Sequence, residues 1–107
     1  MDKKPYNKLI RDKIPEIIAQ SNRQMEVTTL TVSEFENALR DKLVEEATEA
    51  KDADASQLIK ELADIQEVMQ ALMRLHSITP DMLQREQERR RLERGGFERR
   101  LKLIWAE

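Results

Sequence analysis

Two short acidic clusters hold the residues best suited to chemistry: Glu45-Glu46-x-x-Glu49 and Glu61-x-x-Asp64. Each sets carboxylates one helical turn apart. Facing each other across a helical hairpin, they would form an oxygen cage for a hard divalent cation, most plausibly Mg²⁺. The sequence has no cysteine and one histidine, His76, so the donors must all be oxygens. That favours Mg²⁺ or Mn²⁺ over Zn²⁺. The chemistry implied is metal-dependent and directed at phosphate groups.

The elements that must position these acids follow from local signals. Residues 5–13 read as an extended or irregular lead-in carrying Lys8, Arg11 and Lys13. Pro15 suits the first turn of a short helix with Ile14, Ile17 and Ile18 on one side, ended by Ser21-Asn22. The Val- and Thr-rich stretch 26–32 predicts a short strand or an extended connector. Ser33 is the expected N-cap of a long helix, with Glu36 completing a Ser-x-x-Glu capping box, and that helix should run to about Ala53. Asp54 or Ser56 would cap the next, which should run to about Leu75. So short a link makes the two helices antiparallel neighbours. Thr79-Pro80-Asp81 starts a third long helix, very polar, which stops at Gly95-Gly96. Alternating Leu101, Leu103 and Trp105 give the tail a weak strand signal.

A helix turns about 100° per residue. The first long helix then has one apolar stripe of Phe35, Leu39, Leu43, Ala47 and Ala50, with Glu46 inside it, Glu49 at its edge and Glu45 pointing away. The second has Leu58, Leu62, Ile65, Met69 and Leu72, with Glu61 inside and Asp64 on the margin. Both helices therefore aim carboxylates at their own packing seam, where a purely structural sequence would place Leu or Ala. Four such charges ~6 Å apart at an effective dielectric of ~20 repel by roughly 2.8 kcal/mol per pair, an upper-end figure. The cluster needs bound cations, basic partners or raised pKa values. The bland alternative pairs Lys42 with Glu46 and Lys60 with Asp64 along solvated helix faces. It does not explain why both clusters fall on the seam.

Bulk properties set limits. The 107 residues suit a single all-α domain spanning 1–107: three main helices in an antiparallel hairpin or bundle, a short N-terminal helix and minor short strands at most. With 39% hydrophobic and 37% charged residues, one chain buries little core, and completion by a homo-oligomer, dimer or tetramer, is expected. The net charge of −2 does not mark a nucleic-acid binder. The arginines between Arg85 and Arg100 are interleaved with Glu86, Glu88, Glu93 and Glu98, which argues against a phosphate-tracking face. No run approaches the ~20 apolar residues of a membrane span, and the N-terminus lacks a signal-peptide pattern, so a cytoplasmic location is expected.

At the acidic clusters the chain resembles the all-α nucleoside triphosphate pyrophosphohydrolases, the MazG-like and phosphoribosyl-ATP pyrophosphohydrolase-like superfamily. Their hallmark is Glu-Glu-x-x-Glu followed by Glu-x-x-Asp, present here as Glu45-Glu46-Ala47-Thr48-Glu49 and Glu61-Leu62-Ala63-Asp64. The lead-in Tyr6-Asn7-Lys8-Leu9-Ile10-Arg11-Asp12-Lys13-Ile14-Pro15 and the later Arg94-Gly95-Gly96-Phe97 are similar to a small single-domain branch. The resemblance implies Mg²⁺-dependent hydrolysis of a nucleoside triphosphate to monophosphate and pyrophosphate. It implies metal ligation by Glu46, Glu49, Glu61 and Asp64, with Glu45 and Glu49 as catalytic acids; Glu45 would support a second metal or orient the attacking water. Lys8, Arg11, Lys13, Arg94, Gly95 and Gly96 become candidate substrate contacts. Two other readings stand beside this one: phosphoribosyl-ATP hydrolysis, and a non-enzymatic helical interaction module.

Overall fold

A computed structural model describes residues 3–107. It contains four helices: α1 (Ile14–Gln20), α2 (Val32–Asp52), α3 (Leu58–Leu75) and α4 (Pro80–Arg94). The all-α expectation holds, and there is no strand among the described residues. Residues 26–31 form an exposed connector with only Leu30 half-buried, and the tail beyond Gly96 is exposed throughout. β-Branched and alternating residues do not make a strand without a neighbour to pair with, and neither segment has one.

The helix ends follow capping chemistry. Pro15 lies in the first turn of α1, and Ser21 ends the helix by donating its hydroxyl to the Ile18 carbonyl at 2.9 Å. The start of α2 lies two residues before the Ser33 expected. Thr31, not Ser33, is the N-cap: its hydroxyl accepts from the Glu34 amide at 3.2 Å, and the Glu34 carboxylate accepts from the Thr31 amide at 2.9 Å. Thr31-x-x-Glu34 has the same box spacing as Ser33-x-x-Glu36, and the extended backbone of Thr31 decides between them. Thr79 caps α4 by accepting from the Met82 amide, and Gly95, at φ 82°, closes it with its N–H on the Arg91 carbonyl at 2.7 Å. That backbone angle favours glycine.

Only α2 and α3 lie alongside one another, as the antiparallel hairpin expected from their short link. Leu39 of α2 (3% exposed) and Val68 of α3 (8%) are the buried hydrophobic side chains. Val68 falls outside the apolar stripe read from the sequence. The buried seam of α3 runs through Glu61, Asp64, Ile65, Val68 and Leu72, whereas Leu58 and Leu62 are exposed, as is Ala47 of α2. The seam has rotated toward the acids, leaving Leu58, Ile59 and Leu62 as an uncovered apolar patch.

At the far end of the hairpin, His76 at the C-cap of α3 meets Glu36 of α2, with Nε2 and Oε1 2.7 Å apart. The hairpin is thus fastened at both ends, by the 53–57 turn and by this pair. Helix α4 runs apart from it and supports itself through ion pairs one turn apart: Arg85 with Asp81, and Arg89 with both Glu86 and Glu93. The Cα radius of gyration, 18.5 Å, far exceeds the ~13 Å of a compact domain of this size. No described helix is long and apolar enough to cross a membrane.

Two substitutions separate the observed α2 start from the expected one. Thr31→Ala should cost about 1 kcal/mol of stability in urea denaturation, the usual worth of such a cap. Ser33→Ala should fall within about ±0.5 kcal/mol.

Candidate metal centre

The acids come together because the link between α2 and α3 is tight. Asp54 organises it: one carboxylate oxygen accepts from the Ser56 hydroxyl at 2.7 Å and the Gln57 amide at 3.0 Å. These bonds, that from Ser56 foremost, hold the Asp54 carboxyl below its ordinary range. Asp54 therefore serves the turn before α3; Gln57 is the N-cap position and makes no side-chain cap bond. With the turn closed, the last two turns of α2 lie beside the first two of α3. Glu45, Glu46 and Glu49 then sit across from Glu61 and Asp64.

Glu46, Glu61 and Asp64 each present an oxygen within 4.8 Å of the others. Glu46 is buried, at 8% exposure, and Glu61 and Asp64 are half-buried. One oxygen of Glu46 and one of Glu61, both Oε2, are buried without a hydrogen-bond partner. A buried acceptor without a donor is costly, and two beside a third carboxylate suit a multivalent cation. Glu49 stands at the exposed rim, close enough to bear on both Glu46 and Glu61.

The electrostatics follow the same pattern. Burial pushes the Glu46 carboxyl up, and Glu49 and Asp64 add to the effect against the opposing Lys42. Glu61 is also raised, first by burial and then by Glu49, with Lys60 opposing. Glu45 behaves oppositely. It lies off the cage, between Lys8 at 3.2 Å and Lys42 at 3.4 Å, and Lys8 above all holds its carboxyl low.

Cations from two places reach the acids. Lys42, half-buried on α2, touches Glu45 and lies 3.9 Å from Glu46, so the i,i+4 pair of the bland reading exists. It counters part of the charge and leaves the two orphan oxygens. The other two come from the lead-in: Lys8 on Glu45, and Arg11 Nη2 on Asp64 Oδ1 at 2.7 Å. Asp64 is thus paired with Arg11, not Lys60. Of the remaining basic candidates, Lys13 is exposed at the start of α1, and Arg94 is exposed at the end of α4, which lies alongside neither α2 nor α3. Gly95 ends α4, and Gly96 lies under the Arg91–Glu98 pair, whose side chains a Cβ there would strike. A shallow depression beside the cage was not foreseen. Thr48, Asp52, Ala53, Asp54 and Gln57 line it together with Glu49 and Glu61. The sole sequence hint was that these residues lie on or next to the link joining the two acidic motifs.

A family model described as phosphoribosyl-ATP pyrophosphohydrolase matches residues 5–91. The chain belongs to this family. The match includes both acidic clusters, Lys8 and Arg11, and ends before Arg94. Comparison with curated proteins and with solved structures found no match. The phosphoribosyl-ATP pyrophosphohydrolase family lies within the MazG-like all-α superfamily, so membership supports a hydrolase of a nucleotide's pyrophosphate linkage, and the acidic cage suits that family's metal-dependent chemistry.

The raised Glu46 carboxyl gives a signed pH dependence. A folded-state pKa above the unfolded one contributes stability below the ordinary carboxylate range, near pH 4.3, and loses it as pH rises through the raised value. Without divalent cations, Glu46→Gln should therefore melt above the parent protein at pH 7.5. The gap should shrink as the pH falls toward 4.5, as followed by thermal denaturation in EDTA.

Proposed function

We propose that the chain hydrolyses a nucleoside triphosphate to the monophosphate and pyrophosphate in a Mg²⁺-dependent reaction. The observation that carries this reading is the trio Glu46, Glu61 and Asp64, each with an oxygen within 4.8 Å of the others, where Glu46 and Glu61 each also keep one buried oxygen without a partner. These three, with Glu49 from the rim, would hold the ion; Mn²⁺ fits the same donors. Bound Mg²⁺ would neutralise phosphate oxygens and ease the departure of pyrophosphate.

The remaining work falls to the chain's own side chains. Water attacks the α-phosphorus in line, a new P–O bond forms, and the bond to the bridging oxygen of the leaving pyrophosphate breaks. Glu49 is the exposed acid of the set, placed to orient that water and accept its proton. Glu45 lies off the cage between Lys8 and Lys42, where it would support a second metal or help orient the water once Lys8 turns to the phosphates. Lys8 and Arg11 stand nearest to meet the phosphates. The depression lined by Thr48, Asp52 and Gln57 is the adjoining surface for the rest of the nucleotide. A cytoplasmic location suits such a substrate.

Phosphoribosyl-ATP is the second reading for the substrate, favoured by the description of the matching family. It has the same linkage, and its larger, phosphoribosylated base would rest on the same open depression. A panel of ribo- and deoxyribonucleoside triphosphates plus phosphoribosyl-ATP, with products separated by anion exchange, distinguishes the two. Pyrophosphate release is expected, abolished by EDTA and lowered at least about a hundredfold in kcat by Glu46→Gln. Release from phosphoribosyl-ATP alone selects the second reading, and release from none of them removes both.

We further propose a homo-oligomer. Burial of Leu39 and Val68 is a small core for a chain that leaves Ile59, Leu92, Phe97 and Trp105 at 75% exposure or more. A second copy would cover these faces. Light scattering should give two or four times the 12.6 kDa chain mass, and a monomer would refute it.

A further inference from the structure

The lead-in does more than supply positive charge. Lys8 and Arg11 are three residues apart on a segment with no regular secondary structure, entered through Asn7 at φ 49°. Three extended residues span about 10 Å, which matches the ~8–10 Å between packed helix axes. Lys8 lands on Glu45 of α2, and Arg11 on Asp64 of α3. The segment is therefore a strap across the acidic end of the hairpin, pinned to one helix at each anchor.

Arg11 and the metal draw on the same carboxylate. Its guanidinium nitrogen lies 2.7 Å from Asp64 Oδ1, and Asp64 belongs to the carboxylate trio. A dication on that carboxylate would stand within a few ångströms of a fixed positive charge, which it repels. Lys42 is the weaker competitor: it stands 3.9 Å from Glu46, beyond hydrogen-bond reach, is bonded to Glu45 at 3.4 Å, and remains available to Glu45 when Lys8 leaves. The strap's side chains are over half exposed, Lys8 at 57% and Arg11 at 58%, and ion pairs of that exposure exchange readily. The Arg11 contact is a single hydrogen bond. A phosphate offers the guanidinium fork a two-point partner.

We propose that Arg11 and a divalent cation are alternative partners of Asp64, and that the nucleotide's phosphates decide between them by drawing the strap off the carboxylates. This rests on the metal-dependent reading above and adds an order to it. Metal alone binds against the strap; polyphosphate removes the strap and opens Asp64. Metal and polyphosphate therefore bind with positive linkage, each improving the other's affinity.

The experiment uses the full chain and reads binding, not turnover. Mn²⁺ is titrated with free Mn²⁺ followed by electron paramagnetic resonance. Pyrophosphate at saturating Mg²⁺ is titrated by calorimetry, a probe independent of the unidentified base. Arg11→Gln should bind Mn²⁺ tighter than the parent by on the order of fivefold and pyrophosphate more weakly by a similar factor. Arg11→Lys, which keeps the charge, should stay near the parent for Mn²⁺. Lys8→Gln should shift both affinities in the same directions by a smaller factor, so the outcome does not hang on one variant. Mn²⁺ affinity unchanged or weakened in both Gln variants, with helical circular dichroism intact, overturns the proposal and leaves the metal site standing. No Mn²⁺ binding by the parent protein overturns the metal site itself, and the strap with it.

Discussion

Carboxylate repulsion at the hairpin seam is the constraint to which the rest of the molecule answers. Glu46, Glu61 and Asp64 sit where a helical hairpin would ordinarily bury Leu or Ala, and Glu49 crowds them from the rim. Every cation near the seam has a part in making this tolerable. Lys42 is built into α2, and Arg11 and Lys8 arrive from a segment more than thirty residues earlier in sequence. Burial and mutual repulsion still push Glu46 and Glu61 up, so the compensation is incomplete. A site that stores unrelieved negative charge in this way is ready for a divalent ion, and the hairpin has given up core to make it.

That sacrifice shows in the fold. A seam occupied by acids has few positions left for hydrophobic side chains, and Leu39 and Val68 are the ones buried. The α4 helix, polar nearly all round, has little apolar face to bring to the hairpin and stands apart, held by charge pairs along its own surface. The exposed apolar residues of α3 and the tail are the counterpart of the same exchange.

The sequence made the helices and the acid geometry legible because both follow from short-range rules. Helical periodicity put Glu46 and Glu61 on the seam, and the Thr79-Pro80 and Gly95 signals bounded α4 correctly. Errors arose where two signals of equal strength competed or where distant segments meet. Thr31 and Ser33 head identically spaced capping boxes, and only the backbone conformation at Thr31 separates them. Helical spacing draws the α3 stripe through Leu58, Leu62, Ile65, Met69 and Leu72. The seam in fact follows Val68 and the acids, since the turn at Asp54 sets the rotation of α3. That Arg11 reaches Asp64 and Lys8 reaches Glu45 is a long-range fact, without a periodic signature. The family resemblance named these cations as candidates but could not say which acid each would meet. Of the two readings for 26–32 the connector holds and the strand does not, and the tail forms no strand either, because a strand needs a partner.

The double fastening of the hairpin bears on ion size. With the Asp54 turn closing one end and His76 meeting Glu36 at the other, α2 and α3 are joined on both sides of the acids. The cage on this frame draws its side-chain ligands from the acids that the two helices already present. Calcium needs more oxygens than magnesium, at 2.3–2.6 Å rather than about 2.0–2.1 Å, and tolerates irregular surroundings. On such a frame the further oxygens that calcium requires would have to come from water, since the two helices have no more carboxylates to bring to the seam.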